Sequence, residues 1–220
     1  MKAETAMKDN SVVFFIDFDG TITKKDTCAA MVEAFAGDGW REINERWERK
    51  EISTEQCANM TFSLFQADIS DLKRIMDTME IDDFFKEFLG LCRRRGYEVY
   101  VLSDGYDFCV EAVLGKQGIE LPYYANRMVY DEGFKIECSG INPDCGICGT
   151  CKTRLIKELK GEGNLVVYIG DGYSDTCPVT MADVIFAKKD LYRYCRDNGI
   201  SARYFDDFND IILYITNLCG

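Results

Sequence analysis

The chain has 220 residues, 47% of them hydrophobic and 29% charged, which is typical of a folded globular protein and excludes a disordered or fibrous chain. Its formal net charge of −12 argues against a nucleic-acid partner, because proteins bind phosphate backbones through clustered Lys and Arg. Histidine is absent, so any chemistry has to use carboxylates, thiols, lysine or hydroxyls.

The chain begins with the polar segment MKAETAMKDN, which lacks the apolar core of a signal peptide. No later stretch reaches the roughly 18 apolar residues of a membrane helix. We therefore expect a cytoplasmic protein that has no membrane partner. The 11 cysteines are accordingly expected to be reduced thiols rather than a disulfide framework.

The predicted strands are apolar runs, as expected where a strand is covered on both faces. They span residues 12–16, 97–103, 164–172, 184–187 and 201–205. Helical patterns precede the last four of these strands; they read DDFFKEFLGLCRRRG, TRLIKELKG, TCPVTMADV and DLYRYCRDNG. Alternating strands and helices predict an α/β fold with a doubly wound parallel sheet.

Residues 27–80 interrupt this alternation, because they contain helical patterns such as AAMVEAFAGDGWREINERWERK but no convincing strand. The pattern predicts a small helical cap domain at 27–80, inserted into a core that comprises 1–26 and 81–220. Ligands of open α/β sheets bind at the carboxyl ends of the strands, where such a cap is placed to act as a lid. Residues 133–140, GFKIECSG, predict a small hairpin.

Acidic side chains follow the first and third predicted strands, which end in DFDGT and GDGYSD, and the second ends in SDG. The carboxyl ends of parallel strands meet at one edge of a sheet, so we expect four carboxylates to converge there. They belong to Asp17, Asp19, Asp171 and Asp175. Ionised carboxylates cannot crowd together without a cation. Oxygen ligands and the lack of histidine favour a hard metal, so Mg²⁺ is the predicted cofactor.

The DFDGT strand end, the strand-end Ser103, Lys152 and GDGYSD resemble, in this order, the four motifs of the haloacid-dehalogenase-type phosphatases. The resemblance implies an α/β core with a cap, and Mg²⁺-dependent hydrolysis of a small phosphorylated metabolite. Asp17 would be the nucleophile that forms an aspartyl-phosphate. Asp19 would protonate the leaving oxygen and later deprotonate the hydrolytic water. Lys152 would neutralise charge on the phosphate and the nucleophile; a solvated lysine at a helix start is the alternative.

The resemblance also implies a metal site and a substrate site. Mg²⁺ would be held by Asp17, the backbone carbonyl of Asp19 and Asp171, with Asp175 as a ligand or an outer partner. Asp175 could also cap the helix that follows it.

The predicted substrate site adds four residues to these acids. Ser103, with Asp104 and Thr21, would hold the phosphoryl group. Asp26 falls where relatives place an acid that faces the substrate from the cap hinge. Its alternative role is to cap the helix that starts near Thr27.

Four cysteines form a loop that ends next to Lys152, in the pattern C-x6-C-x2-C-x2-C: Cys138, Cys145, Cys148 and Cys151. This spacing leaves three possibilities open, namely a structural zinc or iron–sulfur site, a redox-sensitive disulfide, and plain loop thiols.

A loop of this kind is similar to that of two phosphatase groups. One acts on a methylthiopentane phosphate of methionine salvage, and the other acts on phosphoethanolamine or phosphocholine. The segment GDGYSDTCPVTMADVIFA and the Ser103-Asp104 pair also resemble the second group. Phosphoserine phosphatase is the alternative relative, but its substrate-gripping cap arginine aligns with Asn59, which disfavours phosphoserine.

We therefore predict a Mg²⁺-dependent phosphomonoesterase for a small phosphorylated metabolite, acting as a monomer or homodimer. A phosphotransferase or a phosphonate-cleaving enzyme is the enzymatic alternative, and Asp19 disfavours the phosphonate reaction. The non-enzymatic alternative is a regulatory protein that binds a metal or cluster through the loop at 138–151.

Overall fold

The computed structural model describes residues 11–143 and 146–217. The segment MKAETAMKDN, Cys145 and Cys219 lie outside the described residues. Seven strands form one sheet in the order β4-β3-β2-β1-β5-β6-β7, and every neighbouring pair is parallel except β3 and β4. The strands are β1 Val12–Ile16, β2 Glu98–Tyr106, β3 Tyr123–Tyr130, β4 Phe134–Glu137, β5 Leu165–Gly170, β6 Val184–Ala187 and β7 Arg203–Tyr204.

Helices cover both faces of this sheet. In chain order they are α1 Thr27–Phe35, α2 Trp40–Glu48, α3 Thr54–Phe62, α4 Ile69–Thr78, α5 Phe85–Arg95, α6 Asp107–Lys116, α7 Lys152–Leu159, α8 Lys189–Asp197 and α9 Phe208–Asn217. The predicted α/β fold with a mostly parallel sheet is confirmed. In the described parts of the chain, no helix is long and apolar enough to cross a membrane. The cytoplasmic location and the monomeric or homodimeric state stay predictions.

The central strand β1 explains why its sequence is an uninterrupted apolar run. It lies between β2 and β5, and all five of its residues are buried. Phe14 and its alternate neighbours pack into one apolar cluster, whereas Val13 and Phe15 pack into a second cluster on the opposite face. Because both faces of the strand are covered, no polar position interrupts the sequence before Asp17.

The helical insert has the predicted secondary structure, since α1 to α4 occupy it and it contains no strand among the described residues. Its apolar side chains join the same cluster as one face of the sheet; Met31, Phe62 and Leu72 belong to this cluster together with Phe14. The insert is therefore continuous with the core in its packing. The division into a cap at 27–80 and a core at 1–26 and 81–220 stays a prediction.

Two predicted boundaries at the carboxyl edge are wrong. The segment TCPVTMADV is not an α-helix but contains a short 3₁₀ turn, Pro178–Met181, because the proline has no amide hydrogen with which to extend a preceding helix. The second strand does not end at Ser103 but runs on to Tyr106, with a register shift against β3 between Leu102 and Tyr106.

The strand β3 was not predicted from the sequence. It pairs in parallel with β2 and antiparallel with β4. The observed hairpin therefore consists of β3 and β4, and the segment predicted as a hairpin, 133–140, contains only β4. β3 is half-buried over most of its length and alternates less clearly than the central strands. The weak pattern reflects its position beside the short edge strand β4.

Candidate active site

Asp17 follows β1 directly and forms a buried ion pair with Lys152. The Asp17 backbone N–H donates to the Ile169 carbonyl at 2.9 Å, which fixes the residue at the carboxyl end of two adjacent strands. Lys152 Nζ lies 2.5 Å from Asp17 Oδ1 and 2.7 Å from Asp175 Oδ1. The Lys152 residue is only 3% exposed, so a solvated lysine at the helix start is excluded. The structure therefore brings three predicted site residues into direct contact.

The Lys152 ammonium is held in its charged form by these acids. Burial disfavours the charge, but Asp17 and Asp175 raise the pKa of Lys152 well above its usual value. Lys152 Nζ is also 3.2 Å from Ser174 Oγ. The side chain is thus a fixed positive charge at the carboxyl edge of the sheet.

Asp175 is completely buried, and both of its carboxylate oxygens accept two hydrogen bonds. One oxygen accepts from Lys152 and from the Tyr168 hydroxyl at 2.5 Å. The other accepts from the backbone N–H groups of Asp171 at 3.0 Å and Gly172 at 3.1 Å. The carboxylate therefore anchors the loop that carries Asp171, and its lone pairs are already engaged.

Asp171 lies across the site from Lys152 and pairs with a second lysine, Lys189. Lys189 Nζ is 2.7 Å from Asp171 Oδ2 and 3.1 Å from the Gly20 carbonyl. The Lys189 backbone is left-handed, with φ of 50°. Sequence reasoning missed Lys189; the only signal was its position just after the apolar run VIFA, at the carboxyl end of a predicted strand.

Oxygen atoms of Asp17, Asp171 and Asp175 lie within 4.8 Å of one another. Burial and the Asp175 charge raise the pKa of Asp17, and only Lys152 substantially opposes them. A cluster of this kind, with oxygen donors and a surplus of negative charge, fits a small divalent cation. The residues present therefore fit Mg²⁺.

Asp19 has a different environment from Asp17. Its Oδ1 accepts from the Thr27 backbone N–H at 2.9 Å and from the Thr27 hydroxyl at 2.5 Å, and its Oδ2 accepts from the Ser103 hydroxyl at 3.3 Å. Within the described residues no Lys or Arg forms an ion pair with it. Burial, followed by the Asp26 charge, raises the pKa of Asp19 to about 7. Asp19 can therefore carry a proton near neutral pH, as a general acid requires.

Gly105 gives Asp19 and Ser103 the space they occupy. The Gly105 N–H donates to Ser103 Oγ at 2.9 Å. A Cβ at Gly105 would collide with the Asp19 carboxylate and would lie 3.0 Å from Ser103 Oγ and 3.1 Å from Cys28 Sγ. The glycine is therefore needed for the close approach of these groups.

Asp104 links β2 to the cap and to the cysteine loop. Its Oδ1 accepts from the Thr150 N–H at 2.8 Å and from Asn126 Nδ2 at 3.4 Å, while its Oδ2 accepts from the Thr54 hydroxyl at 3.2 Å. Burial raises the pKa of Asp104. These contacts give Asp104 a structural role, and phosphate binding by its side chain stays a prediction.

Asp26 and Thr21 are placed differently from the central acids. The exposed Asp26 caps α1, because its carboxylate accepts from the Ala29 N–H at 2.8 Å. Thr21 is fully buried, and its hydroxyl has no hydrogen-bond partner within the described parts of the chain. The capping role of Asp26 is confirmed, whereas substrate contacts of either residue stay predictions.

The helical insert lies against the carboxyl edge through an aromatic contact and a hydrogen bond. The rings of Trp47 in α2 and Tyr173 after β5 are 5.8 Å apart, and they meet nearly edge-on. Trp47 Nε1 donates to Thr54 Oγ1 at 3.1 Å, and the same hydroxyl donates to Asp104. These contacts connect the helical insert to β2, which carries Ser103, and to the loop after β5, which carries Asp171.

The Asn59 side chain is directed at β4. Its side-chain amide donates to the Ile136 carbonyl at 2.9 Å and accepts from the Ile136 N–H at 2.9 Å. It also donates to the Glu55 carbonyl. The Asn59 side chain therefore holds the cap helix α3 against the edge strand.

The cysteine loop also contacts α3. The Thr54 N–H donates to the Ile147 carbonyl at 2.9 Å, and the Cys138 N–H donates to Glu55 Oε1 at 3.1 Å. Among the described residues, which exclude Cys145, neither group of side chains suited to a metal ion includes a cysteine of this loop. The metal and disulfide alternatives for the loop stay predictions.

Comparison with known proteins places these residues in a family context. The family described as haloacid dehalogenase-like hydrolase matches residues 14–177, a range that contains all the acids discussed above and Lys152. The chain is 30% identical to a 2-hydroxy-3-keto-5-methylthiopentenyl-1-phosphate phosphatase of Bacillus cereus (strain ZK / E33L), over 96% of this chain and 98% of that protein. It is also 31% identical to a bifunctional enzyme MtnB/MtnX of Bacillus licheniformis, over 89% of this chain and 47% of the relative.

Solved structures show the same fold at lower sequence identity. A phospho-aspartyl intermediate analogue of phosphoserine phosphatase has a TM-score of 0.71 at 21% identity, and the alignment covers 94% of this chain and 99% of that one. A HAD-family hydrolase, t0658, from Salmonella enterica serovar Typhi has a TM-score of 0.72 at 14% identity, and the alignment covers 94% of this chain and 72% of that one. At these identities the likeness concerns the fold.

Proposed function

This chain belongs to the haloacid dehalogenase-like hydrolase family, and from that premise we propose that it is a Mg²⁺-dependent phosphatase that acts through an aspartyl-phosphate on Asp17. The observation that carries the proposal is the unlike environment of two neighbouring acids. Burial raises the pKa of both acids, that of Asp19 to about 7, but their partners differ: Asp17 is paired with an ammonium group, whereas Asp19 accepts only from neutral donors. One acid is thus equipped as a nucleophile, and the other as a proton donor.

In the proposed reaction, Asp17 Oδ attacks phosphorus and the bond from phosphorus to the ester oxygen breaks. Asp19 gives its proton to that departing oxygen. A water molecule then attacks phosphorus and passes a proton to Asp19, which releases inorganic phosphate and restores Asp17. Thr27 and Ser103 hold the Asp19 carboxyl group in one orientation through both halves of the reaction.

Positive charge in the site compensates for the incoming anion. Asp17 and Asp171, with the Asp19 backbone carbonyl, would hold Mg²⁺, and Asp175 would act as their outer partner because its oxygens already accept four hydrogen bonds. When bound, Mg²⁺ offsets the charge of the phosphoryl group and of the carboxylates. Lys152 contributes a second positive charge that faces Asp17.

The helices at 27–80 are proposed to act as the lid of this site. The Trp47–Tyr173 contact and the Thr54–Asp104 hydrogen bond join them to the strand ends. A lid at this position excludes bulky phosphoproteins and so favours small substrates.

For the substrate, the proposal follows the curated relatives rather than the structural neighbours. The relatives are named for 2-hydroxy-3-keto-5-methylthiopentenyl-1-phosphate, and the match spans nearly the whole of both chains. The contacts of Asn59 with Ile136 argue against phosphoserine, because that cap position offers no cation for a substrate carboxylate. We propose that the substrate is a small phosphomonoester similar to the methylthiopentenyl phosphate.

A phosphate-release assay tests this proposal. The purified protein is screened with Mg²⁺ against the methylthiopentenyl phosphate, phosphoethanolamine, phosphocholine, phosphoserine and pyridoxal phosphate, with EDTA-treated protein as the control. We expect Mg²⁺-dependent turnover, fastest with the methylthiopentenyl phosphate. Absence of turnover on the whole panel, together with zinc or iron that survives dialysis, would instead support the metal-binding alternative for the cysteine loop.

A further inference from the structure

Tyr106 lies at the junction of core and cap, on the strand that carries Ser103. It is the last residue of β2 and directly follows Gly105, the residue whose missing side chain makes room beside Asp19. Its ring packs edge-on against Phe62 of the cap helix α3, with ring centroids 5.2 Å apart. Neither the sequence motifs nor the proposed chemistry gives this side chain a role.

Thiol groups from both sides of the junction act electrostatically on Tyr106. Burial raises the pKa of the Tyr106 hydroxyl well above its usual value, and Cys28, Cys109 and Cys57 act next, in that order. Cys28 belongs to α1 and Cys57 to α3, so the cap contributes two of the three thiols. We call the four residues Cys28, Cys57, Phe62 and Tyr106 the leaving-group chamber.

The leaving-group chamber begins next to the proposed general acid. Cys28 Sγ lies within 4.8 Å of an Asp19 carboxylate oxygen, and it would be 3.1 Å from a Cβ at Gly105. Cys28, Cys57 and Tyr106 are half-buried. An ester oxygen protonated by Asp19 would therefore lie beside Cys28.

Within the described parts of the chain, the Tyr106 hydroxyl has no hydrogen-bond partner. Its oxygen atom is not fully buried. Tyrosine hydroxyls in enclosed positions usually have a partner. The hydroxyl therefore has both its donor and its acceptor capacity available to a bound molecule. No Lys or Arg is among the described groups that act most strongly on Tyr106, Cys28 or Cys57.

We propose that Tyr106 determines leaving-group specificity, by a hydrogen bond between its hydroxyl and an oxygen atom on the carbon chain of the substrate. The thiols of Cys28 and Cys57 contact the uncharged remainder of that chain. This inference rests on the proposed phosphatase function, because the chamber is defined by its position next to Asp19.

The test compares Tyr106→Phe, which removes only the hydroxyl, with the wild-type protein on two matched esters. Dihydroxyacetone phosphate carries a carbonyl and a hydroxyl on a three-carbon chain, whereas n-propyl phosphate carries neither. We expect Tyr106→Phe to lower the ratio of kcat/KM for dihydroxyacetone phosphate over propyl phosphate by about 10-fold, mainly through KM. Propyl phosphate should be hydrolysed as by the wild type, and Tyr192→Phe, which removes a hydroxyl far from the chamber, should leave the ratio unchanged.

The outcomes separate this inference from the proposed function. If the wild type hydrolyses phosphomonoesters but has the same ratio of kcat/KM for the two esters as Tyr106→Phe, Tyr106 does not determine leaving-group specificity. An equal loss on both esters would also overturn it, since that loss would indicate a structural effect; the thermal unfolding midpoint of each variant identifies this case. A wild-type protein that hydrolyses no ester would instead count against the phosphatase function itself.

Discussion

Lys152 Nζ lies 2.5 Å from Asp17 Oδ1, and the two side chains are 2% and 6% exposed. An ion pair this deeply buried has lost most of its hydration, so each partner depends on the other. Lys152 also compensates for Asp175, which makes one ammonium group the partner of two acids. The pair is therefore a structural and a chemical element at once.

Replacement of Lys152 by Met should affect both stability and activity. The variant leaves Asp17 and Asp175 buried without their cation, so we expect the free energy of unfolding to fall by about 3–5 kcal/mol. Phosphate release should fall by about 10³-fold or more, as expected for loss of a charge that faces the reacting group. Urea unfolding and a phosphate assay measure the two effects. Lys157→Met, an exposed change on the same helix, should alter neither; wild-type stability of Lys152→Met would contradict the role of the pair.

Replacement of Asp19 by Asn should make the rate depend strongly on the leaving group. The amide retains an oxygen that accepts from Thr27, but it has no proton to give to an alkoxide. We expect turnover of an alkyl phosphate to fall by about 10²–10⁴-fold and that of p-nitrophenyl phosphate to fall much less, because nitrophenolate leaves without protonation. The comparison uses steady-state kinetics on both esters. Equal losses on the two esters would show that Asp19 is not the general acid.

Replacement of Gly105 by Ala should impair the site while sparing the fold. The added Cβ would meet the Asp19 carboxylate and Ser103 Oγ, so one of them has to move. We expect kcat to fall by about 10-fold or more, since small displacements of catalytic groups are costly. Gly172→Ala is the matched control, because a Cβ there meets no atom within 4 Å. The prediction fails if both variants retain wild-type kcat.

Replacement of Asn59 by Ala should loosen the cap helix. Both backbone polar groups of Ile136 lose their partner, and leaving such groups unpaired costs about 1–3 kcal/mol. We expect the free energy of unfolding to fall by that amount, measured in urea, with little change for the control Asn44→Ala on an exposed helix surface. The companion variant Asn59→Arg should not gain activity on phosphoserine. A gain would show that this position faces the substrate.

The alternation of strands and helices could be predicted from the sequence because the central strands are covered on both faces. β1 and β5 are uninterrupted apolar runs for this reason. β3 lies next to the short edge strand β4 and has a mixed burial pattern, so its apolar periodicity is too weak to identify it as a strand. Edge positions lack the burial on which periodicity depends.

The site residues could be named from the sequence, but their contacts could not. Asp17 and Lys152 are 135 positions apart, and only the folded sheet brings them together. Lys189 was missed because its contact with Asp171 depends on a left-handed backbone that no residue pattern specifies. The engagement of Asp104 by Thr54 and Thr150 likewise depends on tertiary packing.

The most direct test of the proposed mechanism is to identify the residue that becomes phosphorylated during turnover. The protein is mixed with Mg²⁺ and a hydrolysed ester, quenched in acid within one turnover, digested and analysed by mass spectrometry. We expect one added phosphoryl group on Asp17 in the wild type, more of it when hydrolysis of the intermediate is slowed, and neither modification nor turnover in Asp17→Asn. Phosphate release by Asp17→Asn at a rate near that of the wild type, or a phosphoryl group on another residue, would contradict it.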